Sequence, residues 1–165
     1  MADPSSKAPA SQLRLRKHAD YQRAYAASRK LQSRDMSYFF ALRAAMHTKR
    51  LHPQELTGVL SGPRVGLTVP KVLGKAHERN RIKRRMRMAV ALHAGELAGL
   101  STDVILHPRR SVLQLDWALL HQEVRKVFQS VRQRSIGPAA KEEAKGTQAK
   151  HGKKSAALQG KRTAG

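Results

Sequence analysis

Six of the nine residues from Arg79 to Arg87 are cationic, and only Asn80, Ile82 and Met86 break the run. Such a block cannot enter a core, because an unpaired charge taken out of water costs far more than packing returns. It must therefore lie on a surface. Ile82 and Met86 stand four apart, and Ala89, Val90, His93 and Leu97 continue their phase, so the stretch from about His77 reads as an amphipathic helix with these residues as its buried stripe. Arg79, Lys83 and Arg87 then fall on one line, and Asn80 and Arg84 on the next. The charge becomes a one-sided patch on the N-terminal half of the helix, where the helix dipole adds partial positive charge. A solvated face is the common fate of a charge run. Here, however, like charges at i,i+4 repel and Glu78 is the one acid nearby, which argues for contact with a polyanion.

The bulk composition agrees. Against 33 Lys and Arg the 165 residues hold 11 acids, a formal charge of +22. A compact body with that charge repels itself unless an anionic partner compensates. Nucleic acid is the leading partner, since neutralised phosphates release counterions, and an acidic membrane surface is the weaker alternative. Aromatics make up 4% of the chain, which excludes a large stacking platform but leaves room for a few placed rings. The chain has no cysteine, so disulfides, thiolate zinc sites and cysteine nucleophiles are excluded. No apolar run approaches a membrane span, and the first residues lack the apolar centre of a secretion signal. A cytoplasmic protein of one domain is the expectation, with a short organellar transit segment as the lesser alternative.

Along the chain, residues 1–12 are rich in Ala, Ser and Pro and read as a disordered lead, and 135–165 as a disordered basic tail. The domain is expected over 13–134. Asp20 to Ala27 reads as a short helix with Tyr21 and Tyr25 on one face. Tyr38-Phe39-Phe40-Ala41-Leu42 reads as a strand with Tyr38 and Phe40 on one side and Phe39 on the other. Residues 47–63 carry turn signals and read as an irregular connection or a long hairpin loop, in which Val59-Leu60 extends a strand. Arg64 to Val69 alternates, with Val65, Leu67 and Val69 toward a core and Arg64, Gly66 and Thr68 toward something polar. Gly66 leaves room for another backbone to approach, and Pro70 ends the strand. Thr102 to Leu106 is a further strand. Residues 116–134 form a last helix, capped by Asp116, with Trp117, Leu120, Val124, Val127, Phe128 and Val131 as its core stripe. The architecture expected is an α/β two-layer sandwich, a small mixed sheet packed by helices in the order α-β-β-β-α-β-α.

The aromatics Tyr21, Tyr25, Tyr38 and Phe40 admit two readings: core residues, or a surface beside the basic helix on which bases of a single strand stack. In the second, Thr68 and Arg64 line the same groove. The eight histidines show no ligand spacing, and His93 reads as a packed helix residue. Asp103, Asp116 and Glu123 read as structural, and no carboxylate cluster suggests a two-metal nuclease. Gly62, Gly66 and Gly74 fit neither a P-loop nor a dinucleotide fingerprint. No catalytic residue and no metal site is therefore assigned to the protein itself.

The segment Arg64 to Arg87, Arg-Val-Gly-Leu-Thr-Val-Pro-Lys-Val-Leu-Gly-Lys-Ala-His-Glu-Arg-Asn-Arg-Ile-Lys-Arg-Arg-Met-Arg, closely resembles the signature of the bacterial ribonuclease P protein component. The flanks resemble it too: residues 15–25 look like the family's N-terminal helix with two aromatics, and 102–109 like its last strand, so the likeness runs over about 13–132. The sequence departs at Pro70 (usually Ser or Thr), Val72 (often Lys), His77 (usually small and apolar), Met88 (often acidic) and in the longer 47–63 connection. The resemblance implies the small basic subunit of an RNA enzyme, an endoribonuclease that removes the 5′ leader of precursor tRNA. It further implies catalysis by the RNA subunit, Mg2+ bound mainly by that RNA, and an unusual left-handed βαβ crossover. Arg79, Asn80, Arg81, Lys83, Arg84 and Arg87 would face the catalytic RNA. Tyr21, Tyr25, Phe40, Thr68 and Lys71 would line the cleft for the single-stranded leader. Partners would be the catalytic RNA and precursor tRNA, with no membrane and no small-molecule cofactor. The alternative is a structural RNA-binding protein, ribosomal or chaperone-like, without a cleavage role. A DNA-compacting protein fits the tail but not the sided helix.

Overall fold

The computed structural model describes residues 13–43 and 62–136. The expectations for 1–12, for the 47–63 connection including Val59-Leu60, and for the tail fall outside these, apart from 62–63 and the last residues of the final helix. In chain order the elements are α1 (His18–Ala27), β1 (Leu31–Gln32), β2 (Met36–Leu42), β3 (Arg64–Leu67), α2 (Ala76–His93), β4 (Thr102–Pro108) and α3 (Trp117–Ile136), with 3-10 turns at Lys71–Leu73, Ala94–Leu97 and Arg110–Leu113. The letters follow the expected order, but the short first strand is Leu31–Gln32, which has no pattern of its own and is strand only because β2 pairs with it.

The sheet order is β1-β2-β4-β3. β4 runs antiparallel to β2 and parallel to β3. The parallel pair is joined through α2, because neighbouring parallel strands need a crossover element. Outside β3, Leu13–Leu15 adds a strap: Leu15 N–H donates to the Val65 carbonyl at 3.1 Å and Val65 N–H to the Leu13 carbonyl at 2.6 Å, which covers the sheet edge.

The register sorts the two faces. Opposite pairs share a face, so Tyr38 with Leu106, Phe40 with Val104, and Val65 with Val104 point one way. Against them pack Ile82, Met86, Ala89 and Val90 of α2 and Leu120, Val124, Val127, Phe128 and Val131 of α3, forming the main core. Each such buried side chain contributes about 1.5–3 kcal/mol. Phe39 with Ile105, Ser37 with His107, and Gly66 with Ile105 point the other way. There Leu15, Ala24, Ala41 and Ile105 make a smaller core under α1. β4 is thus buried on both faces. Trp117 departs from the expected stripe: it is 38% exposed and leans along the helix flank on His121, one turn on. As the first residue of α3, it has no preceding turn to press it inward.

Polar contacts fix the joints. Asp116 does cap α3, accepting the Ala118 N–H at 2.8 Å. Glu123, buried on α3, accepts from Ser33 Oγ and from the Arg34 N–H at 2.8 Å, which holds the β1–β2 turn. The largest polar construction is ionic. Asp103 on β4 binds Arg43, at the end of β2, at 3.0 Å and Arg64 of β3 through two bonds of 2.8 and 2.7 Å; Arg64 reaches on to Asp20 of α1 at 3.0 Å. Arg43 and Asp103 are almost wholly enclosed. Burial opposes the charge on both arginines. For Arg64 its two carboxylate partners outweigh that and raise its pKa, while for Arg43 burial wins and lowers it.

Two outcomes follow. Asp103→Ala strands the enclosed Arg43 without its carboxylate, and should cost about 3–5 kcal/mol in denaturant unfolding; a loss below about 1 kcal/mol contradicts the network's role. His93, on α2, meets His121 of α3 at 3.2 Å, and its pKa is lowered by burial, then by His121 and Arg125. A histidine depressed on folding binds its proton more readily when unfolded, so its contribution is full above the unfolded pKa of about 6.5 and is lost as pH falls through it. The wild type should therefore lose more stability between pH 7.5 and 5.5 than His93→Gln, as read by thermal unfolding at each pH; equal losses would exclude the pair as a source.

Candidate nucleic-acid interface

α2 presents the basic run as expected. Ile82 and Met86 are fully buried, and their neighbours are carried outward: Asn80, Arg81, Arg84 and Arg87 are exposed, and Arg79 and Lys83 half-buried. Among the described residues, none of these five cations forms an ion pair. Arg85, the sixth cation of the run, has an internal task, donating to the carbonyls of Val112 at 2.9 Å, Leu113 at 2.8 Å and Leu115. It ties α2 to the turn before α3, so it is not part of the free patch.

The helix start is set locally. Gly74 has φ 137°, which disfavours any side chain, and a Cβ there would run into the Glu78 carboxylate. That carboxylate accepts the Lys75 N–H at 2.7 Å, closing the first turn, and Arg110 lies 3.3 Å from it. The backbone bond, with Arg110, His77 and Lys75 after it, holds the Glu78 pKa below its ordinary value against some desolvation. Glu78 thus steadies the positive end of α2 without masking the run beyond it.

The second surface lies on the α1 side of the sheet. Tyr21 crosses β3 directly over Gly66, where an added Cβ would stand 2.6 Å from its hydroxyl oxygen. The glycine admits a ring, where another backbone was expected. Burial raises the Tyr21 pKa. Tyr25 stands 6.4 Å from Tyr21 between ring centres, and meets Phe39 edge-on at 4.9 Å. Its hydroxyl is held twice, by Thr68 Oγ1 at 3.0 Å and by His107 Nε2 at 2.8 Å. Lys71 is exposed at the 3-10 turn after Pro70, three residues beyond Thr68.

Two expectations need correction. Phe40 does not stand with the two tyrosines: it is 5% exposed and sits in the main core on the opposite face of the sheet. Phe39 takes that place, because the period-2 strand sends it toward α1. Arg64 does not line the groove as a free cation, since Asp103 and Asp20 occupy its guanidinium. Tyr38 resolves as a core residue whose hydroxyl bonds Ser130 of α3 at 3.0 Å. The sequence reading missed Phe39, His107 and the arginines of the N-terminal strap. Alternation along β4 would have placed His107 on the face of Asp103 and Ile105.

The two surfaces meet. A cavity of about 830 Å³ lies between the strap, β3 and α2, lined by Arg14, Arg16, Tyr21, Lys83 and Arg87 over an apolar floor that includes Val65 and Val90. Tyr21 belongs both to this cavity and to the aromatic row. Four cations and a ring edge around an open hollow suit a phosphate-bearing strand with an unstacked base. Among the described residues, no three groups of His, Asp or Glu gather, and Asp20, Asp103 and Glu123 are already taken by arginines or backbone N–H groups. No helix among the described residues is long and apolar enough to cross a membrane.

The chain is similar to known proteins. The family model described as Ribonuclease P covers residues 10–132. The ribonuclease P protein component of Mycoplasma mycoides subsp. mycoides is 36% identical over 67 residues, 41% of this chain and 62% of that protein. That of Brucella suis is 37% identical over 75 residues, 46% of this chain and 53% of that protein. The chain thus matches about half to three-fifths of the length of these curated relatives. Among solved structures, the RNase P protein of Staphylococcus aureus superposes with a TM-score of 0.53 at 24% identity, covering 72% of this chain and 94% of that one. The RNase P protein of Thermotoga maritima gives 0.55 at 19% identity, covering 71% and 96%. These two establish the likeness of fold, and the family match, which takes in α1, the sheet, α2 and most of α3, shows that the chain belongs to the ribonuclease P protein family.

Proposed function

We propose that this chain is the protein subunit of ribonuclease P, aiding endonucleolytic removal of the 5′ leader from precursor tRNA. The observation that carries the reading is the shared cavity, which joins the basic helix to the tyrosine row through Tyr21. Arg79, Asn80, Arg81, Lys83, Arg84 and Arg87 would contact the catalytic RNA. Tyr21, Tyr25, Phe39, Thr68 and Lys71 would hold the leader.

The physical logic has two parts. The exposed α2 cations, which form no ion pair among the described residues, lower the repulsion between two RNAs brought together, and each phosphate contact releases counterions. Rings beside the cavity stack leader bases, at about 1–3 kcal/mol per base. Mature tRNA, which lacks the leader, forgoes that stacking, so the protein favours substrate over product. Bond cleavage would belong to the RNA, with the magnesium ions it requires bound mainly there. The residues of the protein bind and orient.

Reconstitution tests this. With the catalytic RNA at low magnesium, added protein should raise precursor cleavage, and no change would refute the role. Arg79→Ala with Lys83→Ala should weaken binding of the catalytic RNA and reduce the slope of log K against log salt by roughly 0.7–0.9 for each phosphate no longer neutralised. An unchanged slope would remove α2 from the interface. Tyr25→Ala should cost about 1–3 kcal/mol of precursor affinity while leaving mature tRNA binding unaltered; equal losses on both would argue against a leader cleft.

A further inference from the structure

His107 has no assigned part in RNA binding, yet it stands at the centre of the aromatic row. It is half-buried on β4, opposite Ser37 of β2. Its ring lies 5.7 Å from Tyr25 and 5.3 Å from Phe39, and its Nε2 is 2.8 Å from the Tyr25 hydroxyl. That hydroxyl also meets Thr68 Oγ1 at 3.0 Å, so three side chains from α1, β4 and the exit of β3 form one hydrogen-bonded chain. Tyr25 has one proton to give. With His107 neutral and its proton on Nδ1, Tyr25 donates to Nε2 and accepts from the Thr68 hydroxyl. With His107 protonated, Nε2 donates to Tyr25, and Tyr25 donates to Thr68. One proton reverses the polarity of the whole chain and frees the Thr68 hydroxyl hydrogen to donate elsewhere.

We propose that His107 is a positioning residue of the cleft: it fixes the Tyr25 ring through the Thr68–Tyr25–His107 chain, and it couples leader binding to uptake of a proton. This rests on the leader-cleft reading given above.

The surroundings supply the coupling. Burial, and after it the charge of Lys30, hold His107 below the ordinary histidine pKa. The groups packed on it are Tyr25 from α1 and Phe39 and Ser37 from β2, none of them a carboxylate, and among the described residues the formal charge that acts on it is that of Lys30. Among these described neighbours, no carboxylate holds a proton on His107. A phosphodiester strand laid along the tyrosines adds negative charge beside the ring, and an opposite charge within several ångströms favours the imidazolium. The sign follows by linkage. If the leader raises the His107 pKa, protonation strengthens leader binding by the same factor, so affinity rises as pH falls from 8 toward the free-protein value. The ceiling is about tenfold for each unit of pKa raised.

The test uses the reconstituted holoenzyme with precursor tRNA and with the same tRNA lacking its leader, over pH 5.5 to 8. The wild-type ratio of the two affinities should grow several-fold as pH falls. His107→Gln, which keeps a hydrogen-bonding group for Tyr25 but cannot titrate in this range, should retain a precursor preference with a flat profile. His107→Phe should lower the preference at every pH. As a check independent of variant folding, the His107 ring protons followed by NMR should titrate below about 6.5 in the free protein and higher with a leader oligonucleotide bound. A wild-type profile shared by His107→Gln, or a midpoint unmoved by the oligonucleotide, overturns the assignment of His107 alone. A wild-type ratio of one at all pH overturns the leader cleft itself, and this inference with it.

Discussion

The fold turns on a buried carboxylate. Asp103 of β4 receives Arg43 from the end of β2 and Arg64 from β3, and Arg64 continues to Asp20 of α1. Four elements that are distant in sequence are joined by one chain of opposite charges. Buried ion pairs are weak sources of net stability, since desolvation offsets most of the attraction. They are strict about geometry, however. Hydrophobic contact alone would let α1 slide over the face made by Ala41 and Ile105, because apolar packing has no direction. The bonds from Arg64 to Asp103 and Asp20 permit one placement. That placement puts Tyr21 over Gly66 and the Tyr25 hydroxyl between Thr68 and His107. The cleft is a consequence of where the ion chain sets α1.

The tyrosines accordingly divide their surfaces. Tyr21 and Tyr25 complete the small core with Leu15, Ala24 and Ile105 on one side, and remain half-exposed on the other. Rings held in this way lose little rotational freedom when a base stacks on them, since folding has already fixed them. The same economy operates at α2. Ile82 and Met86 lock the helix to the sheet, Arg85 ties it to the turn before α3, and the remaining cations are left facing outward. Rigid support and an available surface come from alternate positions of the same helix.

Much of this is readable in the residues, and the failures have distinct causes. The period of α2 shows sharp contrast between charged and apolar positions, so its start and its buried stripe of Ile82, Met86, Ala89 and Val90 are plain, whereas the expected stripe runs on through His93, which is half-buried, to Leu97, which lies in the 3-10 turn after the helix ends. Arg64 to Leu67 showed its alternation for the same reason. The run Tyr38-Phe39-Phe40 has no contrast: three aromatics in a row say strand, but not which face meets α1. Its register with β4 decides, setting Phe39 beside Ile105 and Phe40 beside Val104. Choosing Phe40 for the cleft was a choice of face that only tertiary pairing could make. Arg64 failed differently. Its partners Asp20 and Asp103 lie 44 and 39 residues away, and no local pattern announces an ion pair across such separations. β1 owes its existence to β2, and its two residues carry no signal.

The distribution of acids argues the functional case from another side. The chain has 11 acids against 33 Lys and Arg, and the seven acids among the described residues are spent within the fold. Asp103 and Asp20 serve the ion chain, Glu123 and Asp35 the turns beside β2, Asp116 and Glu78 the starts of α3 and α2, and Glu96 binds Arg125 at 2.9 Å. None of these is set against Arg79, Arg81, Lys83, Arg84 or Arg87. A protein selected only for stability would place acids at i±4 along α2, where each pair is worth about 0.2–0.5 kcal/mol. Here the fold tolerates repulsion along one helix while it neutralises charge everywhere that geometry matters. That pattern fits the proposed role, in which an RNA partner's phosphates would supply the counter-charge from outside.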